Sequence, residues 1–290
     1  MDLQELIKLC LQASVIISVY ALGLEATPKD LVFVLKRPAL LVRALLAMFV
    51  IMPVVAIVLL KWFDLPHALQ VTLVALAISP IPPLLPKRQS KGGGHSSYAL
   101  GLMVCMALLS LILIPLWLHL LGSIFGQSFS VQMGAVTLVV LKMIIGPILA
   151  GMLVRALVPA AAQGMLRPAI LLAGWLLPLA GLIVLLAMHS ALLEALGHGA
   201  WIPLLVFIVI GIAVGHILGG PDADSRLVLA VSTASRHPGI AFALAAFNFP
   251  QDRGVPALIA LYLLVSIIAT IVYMKWLAKR TADQPEAAES

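Results

Sequence analysis

Charged residues are scarce in this sequence. Only 10% of the 290 residues are Asp, Glu, Lys or Arg, whereas a soluble globular domain carries about 25%. Hydrophobic residues make up 62%, and the mean hydropathy is +1.13. This balance excludes a soluble domain, and with it a nucleic-acid-binding protein, which needs a basic soluble surface. It predicts an integral protein of the lipid bilayer with several membrane spans.

Cysteines and catalytic motifs are scarce as well. Cys10 and Cys105 lie in separate apolar segments, which predicts two small buried hydrophobic side chains rather than a disulfide or a metal pair. The sequence has no HExxH zinc helix, and it has neither the Ser-Lys or Ser-His pair nor the two aspartates of an intramembrane hydrolase. We therefore expect a protein that is not an enzyme and that needs no metal or other cofactor.

The apolar runs predict an all-α polytopic membrane protein, because a chain in lipid has to satisfy its backbone polar groups within helices or closed barrels. A spanning helix needs about 20 apolar residues, and the sequence contains nine such runs. They cover approximately 6–26, 39–62, 66–91, 95–122, 131–157, 168–190, 199–219, 224–249 and 254–277. Residues 281–290 are predicted to form a polar, disordered C-terminal tail.

The orientation is predicted from the basic residues, which accumulate in short loops on the cytoplasmic side. An external N-terminus places most of the Lys and Arg residues inside, and leaves only Lys8, Lys61 and Arg253 outside. The C-terminus is then cytoplasmic. Two further cations, Lys142 and Arg236, fall within predicted spans. Lys142 is expected to extend to the membrane surface or to bond to a neighbouring helix end.

Two of the predicted spans are interrupted. The segment AISPIPPLLPKRQSKGGG has four prolines between residues 80 and 86, and VSTASRHPGIAFALAAF contains Pro238 and Gly239. Proline removes a backbone donor and clashes with the preceding turn, so no continuous helix is expected through either segment. Paired discontinuous helices in the two halves of a membrane protein are typical of the binding site of a secondary transporter.

The second break contains the candidate site. A half-helix that begins near Gly239 offers free N–H groups to an anion, and Arg236 at mid-membrane needs a cavity, a partner or water. Arg236 is expected to offset the partial negative charge of the helix end before Pro238. Its role as a ligand or ion surrogate and its role as a structural residue bonded to carbonyls both stay open, as they do for His237. The predicted substrate-binding residues are Arg236, His237, Pro238, Gly239, Ser232 and Lys87, and the predicted ion-binding or ion-surrogate residues are Arg236, Ser232 and Ser235.

Four segments together resemble the bile acid:sodium symporter family. They are ALGLEATPKDLVFVLKRP, VIMPVVA at 50–56, KMIIGPILAGMLVR at 142–155 and RHPGIAFALA at 236–245. The resemblance implies a bacterial inner-membrane protein with two inverted repeats, a panel and a core, and two broken helices that cross in the core. We accordingly expect one domain at 1–280, with panel helices at 6–62 and 131–190 and core helices at 66–122 and 199–277.

The chain departs from the family pattern at the residues that hold sodium. Sodium-coupled bacterial members have glutamate, glutamine and asparagine where this chain has Ser232, Arg236 and His237. A hard cation needs several oxygen ligands, usually with a carboxylate. We therefore expect a secondary transporter of a small organic anion that works by alternating access without sodium. The alternatives are a sodium-coupled symporter with backbone ligands and a non-transporting membrane receptor or scaffold; the oligomeric state stays open.

Overall fold

The computed structural model describes residues 3–126 and 133–288, and this part of the chain is helical without a strand. The helices are α1 Leu3–Glu25, α2 Pro28–Leu31, α3 Pro38–Leu45, α4 Met52–Trp62, α5 His67–Ile78, α6 Leu85–Lys91, α7 Ser96–Phe125, α8 Met133–Val140, α9 Gly146–Leu157, α10 Pro159–Ala187, α11 His189–Gly197, α12 Trp201–Leu218, α13 Ala223–Ala234, α14 Pro238–Asn248 and α15 Val255–Ala288. Two π-helical segments, Leu46–Ile51 and Leu141–Ile145, join α3 to α4 and α8 to α9.

The all-helical prediction is confirmed for the described residues. Six helical segments there are long and apolar enough to cross a membrane, and Gln12–Glu25 and His67–Ile78 are shorter apolar helices. The protein is thus an integral multi-pass membrane protein, and the count of nine spans stays a prediction. Residues 1, 2 and 127–132 of the predicted domain lie outside the described residues, and residues 131 and 132 belong to the fifth predicted span. Residues 289 and 290 of the predicted tail also lie outside them.

Two helix boundaries differ from those predicted. Helix α10 begins at Pro159 rather than near residue 168, because proline is well suited to the first turn of a helix and alanines follow it. Helix α15 continues to Ala288. Residues 281–288 therefore extend this helix, where the sequence predicted a disordered tail.

Each π segment ends two residues before a proline. Leu46–Ile51 comes before Pro53, and Leu141–Ile145 comes before Pro147. A proline cannot donate to the carbonyl four residues earlier, and a wider turn relieves the clash with that carbonyl. The carbonyl freed before Pro53 belongs to Phe49, and it accepts a hydrogen bond from Nε1 of Trp117 at 2.7 Å. The π segments therefore leave backbone oxygens open to partners from other helices.

Close packing of α12 on α13 fixes the helix that ends at the second break. Gly215 and Gly219 lie against the backbone of α13: a Cβ atom at Gly215 would lie 2.6 Å from the carbonyl oxygen of Leu229, and one at Gly219 would lie 2.5 Å from the Cα atom of Arg226. Glycines spaced by four residues let two membrane helices approach to backbone contact. This contact fixes the position of α13, whose C-terminal end leads into the second break.

We expect Gly215→Val to lower the free energy of unfolding by about 1–3 kcal/mol, the usual cost of overpacking. The matched control is Gly174→Val, because Gly174 is exposed on α10 and a Cβ atom there would meet nothing within 4 Å. Thermal unfolding in detergent measures both variants. Equal midpoints for the two variants would contradict the packing role of Gly215.

Candidate functional site at two helix breaks

Both predicted breaks are present, with slightly different limits. The first runs from residue 79 to 84 and the second from 235 to 237. Pro86, Pro238 and Gly239, which were predicted to lie in the breaks, are instead in the first turns of α6 and α14. Proline is favoured there because the first N–H groups of a helix have no intrahelical partner. These residues therefore start the second half-helices, and the breaks precede them.

The two breaks, 79–84 and 235–237, are in direct contact, and the place where they meet is called the crossing here. The backbone N–H of His237 donates to the carbonyl of Pro80 at 2.8 Å. Nη1 of Arg236 donates to the carbonyl of Ser79 at 3.3 Å. Ser79 is the C-cap residue directly after α5, so the second break bonds to the C-terminal end of the first broken helix.

Arg236 is fully buried, with 0% of its surface exposed. Besides its bond to Ser79, its guanidinium donates through Nη2 to the carbonyl of Met48 at 2.9 Å. Met48 lies in the first π segment, and Nε of Arg236 has no partner in the described structure. No Asp or Glu is among the buried polar residues of the described ranges. The positive charge is thus compensated by backbone carbonyls, whose dipoles make a helix end partly negative.

Arg236 follows α13, but within the described residues its side chain donates no hydrogen bond to the end of that helix. The carbonyl of Ala234, at the end of α13, accepts hydrogen bonds from Oη of Tyr262 at 2.8 Å and from Oγ of Ser266 at 3.3 Å. The hydrogen bonds to this helix end thus come from α15, and the electrostatic effect of Arg236 on it stays a prediction. Ser235 and His237 have extended backbone, and the Arg236 side chain reaches the end of α5 instead.

His237 caps the half-helix that follows it. Its Nδ1 accepts a hydrogen bond from the N–H of Ile240 at 3.3 Å. A neutral imidazole whose Nδ1 accepts carries its proton on Nε2, and Nε2 is buried without a partner in the described structure. Residues 231–237 are all buried, whereas Gly239 is exposed. The first turn of α14 is therefore open to a ligand, and an unused donor lies beside it.

Ser232 belongs to a second contact between the broken helices. Nε2 of Gln89, on α6, donates to Oγ of Ser232 and to the carbonyl of Val228, both at 2.8 Å. The other amide atom, Oε1 of Gln89, is buried without a partner in the described residues. Sequence reasoning missed Gln89, because its surroundings, KRQSK, have the composition of a polar loop. Its position on a half-helix behind the proline run is the signal that could have found it.

The remaining two predicted site residues, Ser235 and Lys87, have partners other than Arg236. Oγ of Ser235 lies 3.4 Å from Oγ of Ser266. Lys87 is half-buried on α6 and interacts electrostatically with Lys91 and Glu25. Within the described part of the chain, no hydrogen bond joins Lys87 to Arg236. The structure thus brings together Arg236, His237, Pro238 and Gly239, and leaves Lys87 apart.

Lys142, which like Arg236 is predicted to lie in the interior of a span, is exposed in the second π segment.

A comparison with protein families identifies the family of the chain. The model of the sodium bile acid symporter family matches residues 13–196, which is more than half of the chain. The chain belongs to this family. The match to the sodium bile acid symporter family contains the first break and both π segments, and it ends before the second break. A comparison with curated proteins gave no match. Family membership and the apolar helices identify a membrane transporter of the bile acid symporter kind.

Proposed function

We propose that the protein is a secondary transporter of a small organic anion, and that Arg236 takes the place of a coupling cation. The observation that carries this proposal is the fully buried guanidinium bonded to the carbonyls of Met48 and Ser79. Backbone carbonyls at a helix break are the ligands that discontinuous transporter helices offer to sodium. In this chain the guanidinium of Arg236 already occupies two backbone carbonyls at this place.

The polar side chains around the crossing support a carrier without sodium. Oγ of Ser79 donates to the carbonyl of Ala75 at 2.6 Å, and Oγ1 of Thr233 donates to that of Leu229 at 2.7 Å. These hydroxyls are bonded within their own helices, and no buried carboxylate accompanies them in the described residues. A second cation beside a buried guanidinium would also be repelled, strongly so at low dielectric.

The start of α14 supports an organic anion as the cargo. Helix N-termini bind carboxylates through free N–H groups and the positive end of the helix dipole. Gly239 is exposed in this turn, and Nε2 of His237 is a donor without a partner in the described structure. A monocarboxylate or an amphipathic acid satisfies such donors, whereas a cation does not. Both a bile acid and a smaller acid carry the carboxylate that these donors would bind.

The helix packing supports an alternating-access architecture of a panel and a core. Helix α1 packs along α9 and α10, and we propose these three as the panel. Residues 38–62, grouped with the panel on sequence alone, supply Met48 to the crossing, which favours placing them in the core. The two π–proline helices and the two breaks support two inverted repeats. We further propose a bacterial inner-membrane location with a cytoplasmic C-terminus.

Uptake into proteoliposomes tests the proposal. A thermal-shift screen of organic anions first supplies a substrate, since a ligand at about 100 times its dissociation constant stabilises a protein by about 2.7 kcal/mol. Uptake of that anion is expected to proceed at about equal rates with external sodium or potassium, and protein-free liposomes give the background. A strict sodium requirement would favour the symporter with backbone ligands. Binding without any flux would favour the receptor or scaffold.

A further inference from the structure

An aromatic cluster lies where α12 and α15 meet. Nδ1 of His216 is 2.8 Å from Oη of Tyr273. The ring of Trp276 is 5.7 Å from the His216 ring and 5.9 Å from the Tyr273 ring, measured between centroids. Cζ of Arg280 lies 4.6 Å from the centroid of Trp276. The three tilted rings thus form a cluster, called the ring platform below, and the Arg280 guanidinium lies over the face of the Trp276 ring.

Two arginines flank this platform without neutralising partners. Nε of Arg226 donates to the carbonyl of Gly220 at 2.7 Å, and within the described residues no hydrogen bond or ion pair uses its two Nη groups. The charge of Arg226 acts on both His216 and Tyr273, and that of Arg280 acts on His216. No ion pair joins either arginine to a carboxylate in the described ranges. The platform therefore carries two positive charges and several unused donors.

A continuous apolar stripe leads along α15 to the same place. Side chains four residues apart share one face of a helix, and four such positions are exposed here. They are Leu264 at 36%, Ile268 at 64%, Val272 at 62% and Trp276 at 42%. At 1.5 Å per residue the stripe is about 18 Å long, close to the roughly 15 Å of one leaflet of the hydrocarbon core. Arg280 follows one turn later, beyond the interfacial depth that Trp prefers.

We propose that Arg226, Arg280 and the ring platform bind the headgroup of an anionic phospholipid whose acyl chain lies along this stripe. A phosphodiester between two guanidiniums accepts charge-assisted hydrogen bonds, and basic pockets between membrane helices recognise such headgroups. The apolar stripe that runs into the cationic site favours a membrane lipid over a soluble phosphate. The site requires only that the chain lies in a membrane, and it is independent of the transported anion.

The increase of the unfolding midpoint on addition of lipid tests whether this site binds an anionic phospholipid. The purified protein in detergent is titrated with phosphatidylglycerol or with phosphatidylcholine of the same acyl chains, and the unfolding midpoint is recorded. Phosphatidylglycerol is expected to raise the midpoint more than phosphatidylcholine does. Each cation near an anionic headgroup contributes about fivefold in affinity, so R226Q/R280Q should weaken phosphatidylglycerol binding about 25-fold and leave phosphatidylcholine unaffected. The matched control is R253Q, an exposed cation beyond the other end of α15, which should keep the preference.

Two further measurements, on R280Q and with brominated lipid, test the site without relying on the double variant. R280Q changes an exposed side chain and should fold normally, with about fivefold weaker binding. Brominated phosphatidylglycerol should quench tryptophan emission of the unmodified protein more than that of Trp276→Phe. Equal effects of the two lipids, or an unchanged preference in R226Q/R280Q or R280Q, would overturn the site. Equal stabilisation by free glycerol phosphate would overturn the lipid as its occupant.

Discussion

Arg236→Met is expected to reduce transport at least ~100-fold and to lower the free energy of unfolding by about 3–6 kcal/mol. The side chain is fully buried and donates to the carbonyls of Met48 and Ser79. Hydrogen bonds to a charged group contribute about 1.5–3 kcal/mol each, and the substitution leaves both carbonyls buried without a donor. Uptake in proteoliposomes and thermal unfolding in detergent measure the two effects separately.

Two companion variants sharpen this result. Arg236→Lys keeps the charge but lacks the planar fork that reaches two acceptors, so an intermediate loss is expected. Arg253→Met removes an exposed cation from the loop before α15 and should behave like the unmodified protein. If Arg236→Met loses stability while each folded molecule transports at the normal rate, Arg236 is a structural residue and the ion-surrogate proposal is wrong.

The double variant Arg236→Gln with Ser232→Glu is expected to become sensitive to sodium. Removal of the guanidinium releases two backbone carbonyls, and the second substitution adds a carboxylate where Gln89 now donates to Ser232. Carbonyl and carboxylate oxygens are the ligands of hard cations. Sodium at about 100 times its dissociation constant should then stabilise the variant by about 2.7 kcal/mol. Unfolding midpoints in sodium and in potassium chloride at equal ionic strength measure this difference.

Arg236→Gln alone is the control, because it releases the carbonyls without supplying the carboxylate. It should respond to sodium less than the double variant does, and the unmodified protein should not distinguish the two salts. A double variant that ignores sodium would show that the crossing lacks a cation site even without the guanidinium. Sodium-specific stabilisation of the unmodified protein would mean that a cation binds beside Arg236, and the surrogate proposal would fail.

The two helix breaks were predictable from sequence because their causes are local. Proline removes a donor and obstructs the preceding turn wherever it occurs in a helix, so the prolines near residues 80–86 and Pro238 mark both breaks. The capping of α14 by His237 is local as well, since its partner Ile240 is only three residues away. The limits of the breaks were less predictable, because the same proline can end one helix or begin the next.

The partners of the buried arginine could not be predicted, because they lie far away in the sequence. Met48 is 188 residues from Arg236, and its carbonyl lies in a π segment that no periodicity in the sequence indicates. Tyr262 and Ser266, which cap α13, come from another helix, and Gln89 comes from a segment with the composition of a loop. Only the packed arrangement of the helices shows which end each side chain satisfies.

The hydrogen bond from the His237 amide to the carbonyl of Pro80 has a consequence for biosynthesis. Its two residues are 157 positions apart, as are Arg236 and Ser79. The end of α5 therefore lacks these donors until the ribosome has made the second broken helix, and an unsatisfied backbone group in lipid costs several kcal/mol. The first broken helix enters the bilayer as an incomplete element that needs water or a chaperoning neighbour, and the closing of the crossing is a late step of assembly.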